Sequence, residues 1–217
     1  MSLQRRIVLW RHGRTEWNAA RRFQGQTDIP LDSVGVAQAQ AAAEQLASLN
    51  PTRIISSDLQ RALVTAETLA KMCNLDVISD MGLRETFAGE WEGLDREVLT
   101  EQYGDQLAQW AAGSNLRPGV TGETRTEVAE RMHDVITREL EFVGQGGTLV
   151  VVSHGGSARA VIAKLIALPP DSWAALGVLT NCSWSVLTEK DTPYGPPWRL
   201  QEYNAWTLPV PALADDR

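Results

Sequence analysis

The chain has 217 residues, 43% of them hydrophobic and 22% charged, and a formal net charge of −7. Such a length fits one sizeable core, the composition is that of an ordinary globular protein, and the acidic balance excludes a nucleic-acid partner held by a general basic surface. Any anionic ligand must therefore find a local basic pocket.

In chain order, residues 6–10 read as a short buried strand, because Ile7-Val8-Leu9-Trp10 is a brief apolar run bounded by charge and followed by glycine. Asp32 can cap a helix over about 33–49, with Ala39, Ala43 and Leu46 on one stripe. Ile54-Ile55 makes a second strand, and Ser57 can cap a helix over about 58–72 whose first turn carries Arg61. Residues 76–78 form a third strand. From about 87 to 123 the pattern weakens around Trp91, Tyr103, Trp110, Gly113, Pro118 and Gly119, as expected of a crossover insertion or lid. Residues 124–143 read as a helix with an apolar stripe through Val128, Met132, Val135, Ile136 and Leu140. Residues 149–152 form the clearest buried strand, followed by Ser153-His154-Gly155-Gly156 and a helix over about 157–167. Residues 182–188 and 198–203 read as two late strands joined by a turn through Pro193, and the tail after Leu208 reads as irregular.

The alternation predicts a three-layer α/β/α sandwich with a mainly parallel sheet. Open sheets of this kind bind ligands at the carboxyl ends of their strands, where His12 and His154 both fall. No GxxxxGK run supports a nucleotide P-loop. Cys73 and Cys182 stand alone, without metal-like spacing, and read as small buried hydrophobes. No metal and no cofactor is expected.

A histidine that attacks a phosphomonoester must be neutral and ringed by fixed donors. Arg11 and Arg61 can supply bidentate forks, and their charge keeps His12 unprotonated. Departure of the alcohol needs a general acid; Glu85 is the chosen carboxylate, with Glu90 and Glu92 near enough in sequence to compete. His154 can stabilise the moving charge. Asn18 and Gln24 could either touch phosphate or brace loops. His133, off the apolar stripe of its helix, reads as solvent-facing. Trp91 and Trp110 could stack on a ligand ring, although aromatics in such a segment more often pack it down, and Trp17, Trp173 and Trp184 read as core or interface. Arg14, Arg21 and Arg22 either widen an electropositive mouth or serve elsewhere: Arg14 with a nearby acid, Arg21 and Arg22 with solvent.

The blocks Leu9-Trp10-Arg11-His12-Gly13, Trp17-Asn18, Phe23-Gln24-Gly25, Ser56-Ser57-Asp58-Leu59-Gln60-Arg61-Ala62, Leu83-Arg84-Glu85, Gly122-Glu123 and Val152-Ser153-His154-Gly155-Gly156 resemble the histidine phosphatase superfamily, which includes the cofactor-dependent phosphoglycerate mutases. The resemblance spans almost the whole chain. It implies a phosphoglycerate mutase-like domain over 1–217 with an insertion at about 87–123, His12 as the phosphorylated nucleophile, Arg11, Arg61 and His154 as phosphate ligands and Glu85 as proton donor. Asn18, Gln24, Gly25 and Gly155 complete the implied substrate-binding set.

Mutases of this family carry a basic insertion after the acid glutamate, whereas here no Lys or Arg appears between Glu85 and Arg96, so the chain looks like the phosphatase branch. Residues 172–177, 181–184 and 198–200 are similar to actinobacterial members, which implies a sugar phosphate or phosphoglycerate ester as substrate, glucosyl-3-phosphoglycerate among them. The alternatives are a phosphoglycerate mutase and a non-catalytic phosphate-sensing protein. The expected partner is a small phosphorylated metabolite, without nucleic acid or membrane; the late strands and tryptophans leave homodimerisation open. No apolar run approaches the ~18 residues of a membrane span, and Arg5, Arg6 and Arg11 interrupt any signal-peptide core, so a cytoplasmic location is expected.

Overall fold

The structure is a computed structural model and describes residues 4–191 and 194–207. In chain order its elements are β1 (Arg6–Arg11), α1 (Glu16–Ala19), α2 (Ser33–Ala47), β2 (Arg53–Ser56), α3 (Gln60–Cys73), β3 (Val77–Ser79), α4 (Arg96–Ala111), α5 (Arg125–Leu140), β4 (Thr148–Ser153), α6 (Gly155–Leu165), β5 (Trp184–Glu189) and β6 (Trp198–Ala205). Pro193 and the tail after Leu208 lie outside the described residues.

The six strands form one sheet in the order β3-β2-β4-β1-β5-β6. The first four run parallel; β5 pairs antiparallel with β1, and β6 antiparallel with β5. Because successive strand residues face opposite sides, the apolar runs build two cores. Ile7, Leu9, Ile55, Leu149 and Val151 pack with the stripe of α5 and with Val161 and Ile162 of α6. Val8, Trp10, Ile54, Val150 and Val152 pack on the other face with alanines of α2 and α3. The expected sandwich is therefore the one observed, with both faces of the central strands dry.

Small residues set the helices close. A Cβ on Gly13 would lie 2.3 Å from the Gly35 carbonyl oxygen, and one on Gly35 would lie 2.0 Å from that of Arg14. The backbone leaving β1 and the first turn of α2 thus touch directly, and Asp32 caps that turn by accepting from the Gly35 amide at 2.7 Å.

Two expectations are corrected. Ser57 is not the cap of α3: the helix starts at Gln60 behind Leu59, with no side-chain cap. Cys73 is half-buried rather than buried. The stretch 87–123 contains the sixteen-residue helix α4, capped by Asp95 and merged across non-helical backbone at Tyr103. It has a small core of its own, in which Ala88, Trp91 and Leu99 pack with Phe23, Tyr103, Leu107 and Trp110. Among the described residues, no helix is long and apolar enough to cross a membrane.

Candidate active site

Strands β2, β4 and β1 are neighbours in the sheet and all point the same way, so their carboxyl ends open side by side. The residues that follow them are Ser57, His154 and His12. The exits are tied together: the His12 amide donates to the Ser153 carbonyl at 3.0 Å and the Ser57 amide to that of Val152 at 2.9 Å.

His12 is 2% exposed, and its Nδ1 lies 2.6 Å from the Gly13 carbonyl oxygen. That oxygen can only accept, so Nδ1 holds the ring proton and Nε2 carries the bare lone pair. Burial, then the charges of Arg61 and Arg11, push the His12 pKa well below the usual histidine range, so the ring is neutral. The His154 ring stands edge-on to it, with centroids 5.1 Å apart.

His154 carries the opposite tautomer. Arg61 Nε donates to its Nδ1 at 3.2 Å, which leaves the proton on Nε2, donated in turn to Ser57 Oγ at 3.0 Å. Burial and the adjacent Arg61 charge keep His154 neutral as well. The Arg61 guanidinium is fully buried and reaches the carbonyls of Thr27 at 2.7 Å and Gly25 at 2.8 Å. Burial draws its pKa down to about 10, with Glu85 and Asp28 opposing, so it stays charged at neutral pH. Arg11, 5% exposed, donates through Nη1 to the Leu179 carbonyl.

Glu85 sits against the amino terminus of α6. Its Oε1 accepts from the amides of Thr86 at 2.8 Å and Ser157 at 2.9 Å, and its Oε2 from that of Gly156 at 3.0 Å. The Gly156 and Ser157 amides are helix donors that would otherwise have no partner. Behind it, Arg131 and Gln26 both donate to the Glu85 carbonyl, at 2.9 and 3.1 Å, while Arg131 also pairs with Glu123. Two neutral imidazoles of complementary tautomer, two arginines and a carboxylate thus surround one strand-end mouth, a set suited to an oxyanion that gains charge at a nucleophilic nitrogen.

The family model for the histidine phosphatase superfamily, branch 1, matches residues 7–205. The chain belongs to that superfamily. It is 40% identical over 215 residues to a glucosyl-3-phosphoglycerate phosphatase of Mycolicibacterium vanbaalenii, covering 93% of this chain and 95% of the relative. A solved mycobacterial glucosyl-3-phosphoglycerate phosphatase in complex with VO3 superposes with a TM-score of 0.84 at 39% identity, covering 93% of this chain and 99% of the other. A probable phosphoglycerate mutase of Yersinia pestis is 37% identical over 191 residues, covering 87% of this chain and 86% of the relative.

Around this histidine phosphatase mouth the remaining candidates separate. Asn18 is buried, and its Oδ1 accepts from the Thr15 amide at 3.2 Å and from Asn181 Nδ2 at 3.1 Å, while Gln24 Oε1 accepts from the Thr15 hydroxyl at 3.1 Å. Both side chains brace the loop after β1. Gly25 has φ +52° and turns its carbonyl to Arg61, and Gly155 opens α6 where a Cβ would come within 3.2 Å of Arg11 Nη1.

Glu92 is occupied by the amides of Gln26, Thr27 and Ala88, and Glu90 accepts from the Tyr103 hydroxyl, so both rivals of Glu85 are engaged in the loop. Arg14 pairs with Asp32 at 2.8 Å, and Arg22 is exposed, with Nη1 3.4 Å from the Gly93 carbonyl. Trp91 is fully buried, 6.2 Å from the Trp110 ring, so it packs rather than lining the mouth. His133 lies at the surface beside Asp134.

Two residues escaped the sequence. Ser57, expected only as a cap, receives the His154 proton, and Asn181 ties the His12 carbonyl to Asn18, with contacts of 3.2 and 3.1 Å. The position of Ser57 directly after a strand was a usable signal; that of Asn181 was not.

Proposed function

We propose that this chain is a metal-independent phosphomonoester hydrolase that works through a phosphohistidine. The observation that carries this is the Nδ1 contact of His12 with the Gly13 carbonyl, which leaves Nε2 unprotonated beside Arg61 in a buried mouth. In the first step Nε2 attacks phosphorus, the bond from phosphorus to the ester oxygen breaks, and Glu85 gives its proton to the departing alkoxide. In the second, Glu85 takes a proton from water whose oxygen attacks phosphorus, the N–P bond breaks and inorganic phosphate leaves. Arg11, Arg61 and His154 hold the equatorial oxygens, with Asn18, Gln24, Gly25 and Gly155 shaping the pocket.

For the substrate, the names of the mycobacterial relatives support a phosphoglycerate ester such as glucosyl-3-phosphoglycerate. The absence of a basic residue between Glu85 and Arg96 favours water over a second phosphoglycerate as acceptor. A single domain with a lid at about 87–123, and a cytoplasmic site of action, complete the proposal. The second candidate is a phosphoglycerate mutase, which the Yersinia relative favours.

Rates of phosphate release across glucosyl-3-phosphoglycerate, 3-phosphoglycerate, sugar phosphates and an aryl phosphate, with and without chelator, test the proposal. Release from a phosphoglycerate ester, unaffected by chelator, is expected. Conversion of 3- to 2-phosphoglycerate faster than phosphate release would replace it with the mutase.

A further inference from the structure

Helix α6 carries a guanidinium that the proposed phosphoryl transfer does not use. Arg159 is half-buried, one turn past the start of α6, and forms no hydrogen bond or ion pair with any described residue. The other arginines around the mouth are committed: Arg14, Arg84 and Arg131 are paired with Asp32, Asp58 and Glu123.

Helix geometry aims Arg159 at the site. At 3.6 residues per turn, position 159 projects about 40° from Gly155 and about 60° from Gly156, between the two. The Gly156 direction faces the mouth, where a Cβ would lie 3.0 Å from Glu85 Oε1, and the Gly155 direction meets Val178 at 2.7 Å and then Arg11 Nη1 at 3.2 Å. Helical side chains lean toward the amino terminus and cover the turn before their own. Here that turn has no side chain at either glycine, and the Arg159 charge is felt at Glu85.

The groups that Arg159 senses are hydrogen-bonded elsewhere. Its electrostatic neighbours are Tyr203 and Glu85. The Tyr203 hydroxyl already donates to the Gly177 carbonyl, and the Glu85 carboxylate is held by three backbone amides. Its cationic neighbour, Arg125, lies 4.0 Å over the Trp110 ring and donates to the carbonyls of Trp110 and Ser114. A half-buried cation with no hydrogen-bonded anion leaves its donors unmatched until a ligand supplies an acceptor.

We infer that Arg159 is a specificity residue that binds a carboxylate on the phosphomonoester, at the rim of the phosphate site beside Glu85. The inference rests on the proposed hydrolysis for the position of the phosphate. It assigns the second anionic group of the substrate to α6, since residues 86–95 contain no cation.

The test compares 3-phosphoglycerate with glycerol 3-phosphate, which has a hydroxymethyl group in place of the carboxylate. Affinities are measured by calorimetry at physiological salt in the His12→Ala variant, so that no turnover is required. A preference of roughly ten-fold or more for the acid is expected. Adding Arg159→Met should bring the ratio to within about two-fold, and Arg159→Lys should keep part of it. Because the ratio is taken within one preparation, partial unfolding does not mimic the effect. Equal affinities, no binding of either ligand, or a preference that survives Arg159→Met would overturn the inference. If the unaltered chain releases no phosphate from any ester while the Arg159-dependent preference stands, hydrolysis fails and the carboxylate site remains.

Discussion

At the scale of single residues, the chemistry turns on which ring nitrogen of each histidine holds the proton. A carbonyl at 2.6 Å fixes it on Nδ1 of His12, and a guanidinium N–H at 3.2 Å excludes it from Nδ1 of His154. One ring therefore offers a lone pair and the other a proton, although both arrive by the same strand-to-loop geometry. Glu85 is held at the mouth by backbone amides alone, and its catalytic part should depend on how much help the leaving group needs. Glu85→Gln is expected to lower kcat/KM on alkyl phosphates about 100-fold or more, and on an activated aryl phosphate less than about ten-fold. Initial rates on glycerol 3-phosphate and p-nitrophenyl phosphate give both numbers. Equal losses would remove Glu85 from proton transfer.

At the scale of elements, the central strands and helices were legible because their signals are local. Ile7-Val8-Leu9-Trp10 and Leu149-Val150-Val151-Val152 are apolar runs too short for helices, and Asp32 and the stripe of α5 mark helices by capping and spacing. The adjacency of β2, β4 and β1 is not local. It follows from how the chain crosses over, so Arg61 and the two histidines could be chosen by residue type but not placed in contact.

Ser57 reads as a cap for the same reason: a serine before a helix looks like one until the neighbouring strand is known to deliver His154 beside it. Helix α4 is faint in the sequence on physical grounds of its own. Gly104 lies within it, where glycine costs about 1 kcal/mol relative to alanine, and Tyr103 leaves helical geometry at φ −130°, ψ 22°. Its apolar contacts, Leu99, Tyr103, Leu107 and Trp110, serve the small Trp91 core rather than the sheet. Arg159 was invisible because its meaning depends on the two glycines one turn before it.

At the scale of the molecule, burying two neutral imidazoles links stability to pH. Each folded-state pKa lies well below 6.5, with burial the largest cause. Above about pH 6.5 both folded and unfolded forms are neutral at these rings, and the full stability is present. Below it the unfolded chain binds protons that the folded one refuses, so stability falls as pH drops, with a slope approaching about 1.4 kcal/mol per pH unit for each histidine. Urea unfolding between pH 7.5 and 5.5 should show this decline, and His12→Asn should flatten it by about half. An unchanged slope in that variant would mean that His12 accepts a proton in the folded state.

The same burial that costs stability in acid keeps a nucleophile unprotonated among arginines, and this is the centre of the account. Rapid quench in alkaline denaturant after mixing the protein with a 32P-labelled phosphomonoester, followed by peptide mapping at alkaline pH, tests it most directly. An acid-labile, alkali-stable label on the peptide that contains His12, absent from His12→Ala, is the expected result. Phosphate release with no label at His12, or with label on another side chain, would contradict it.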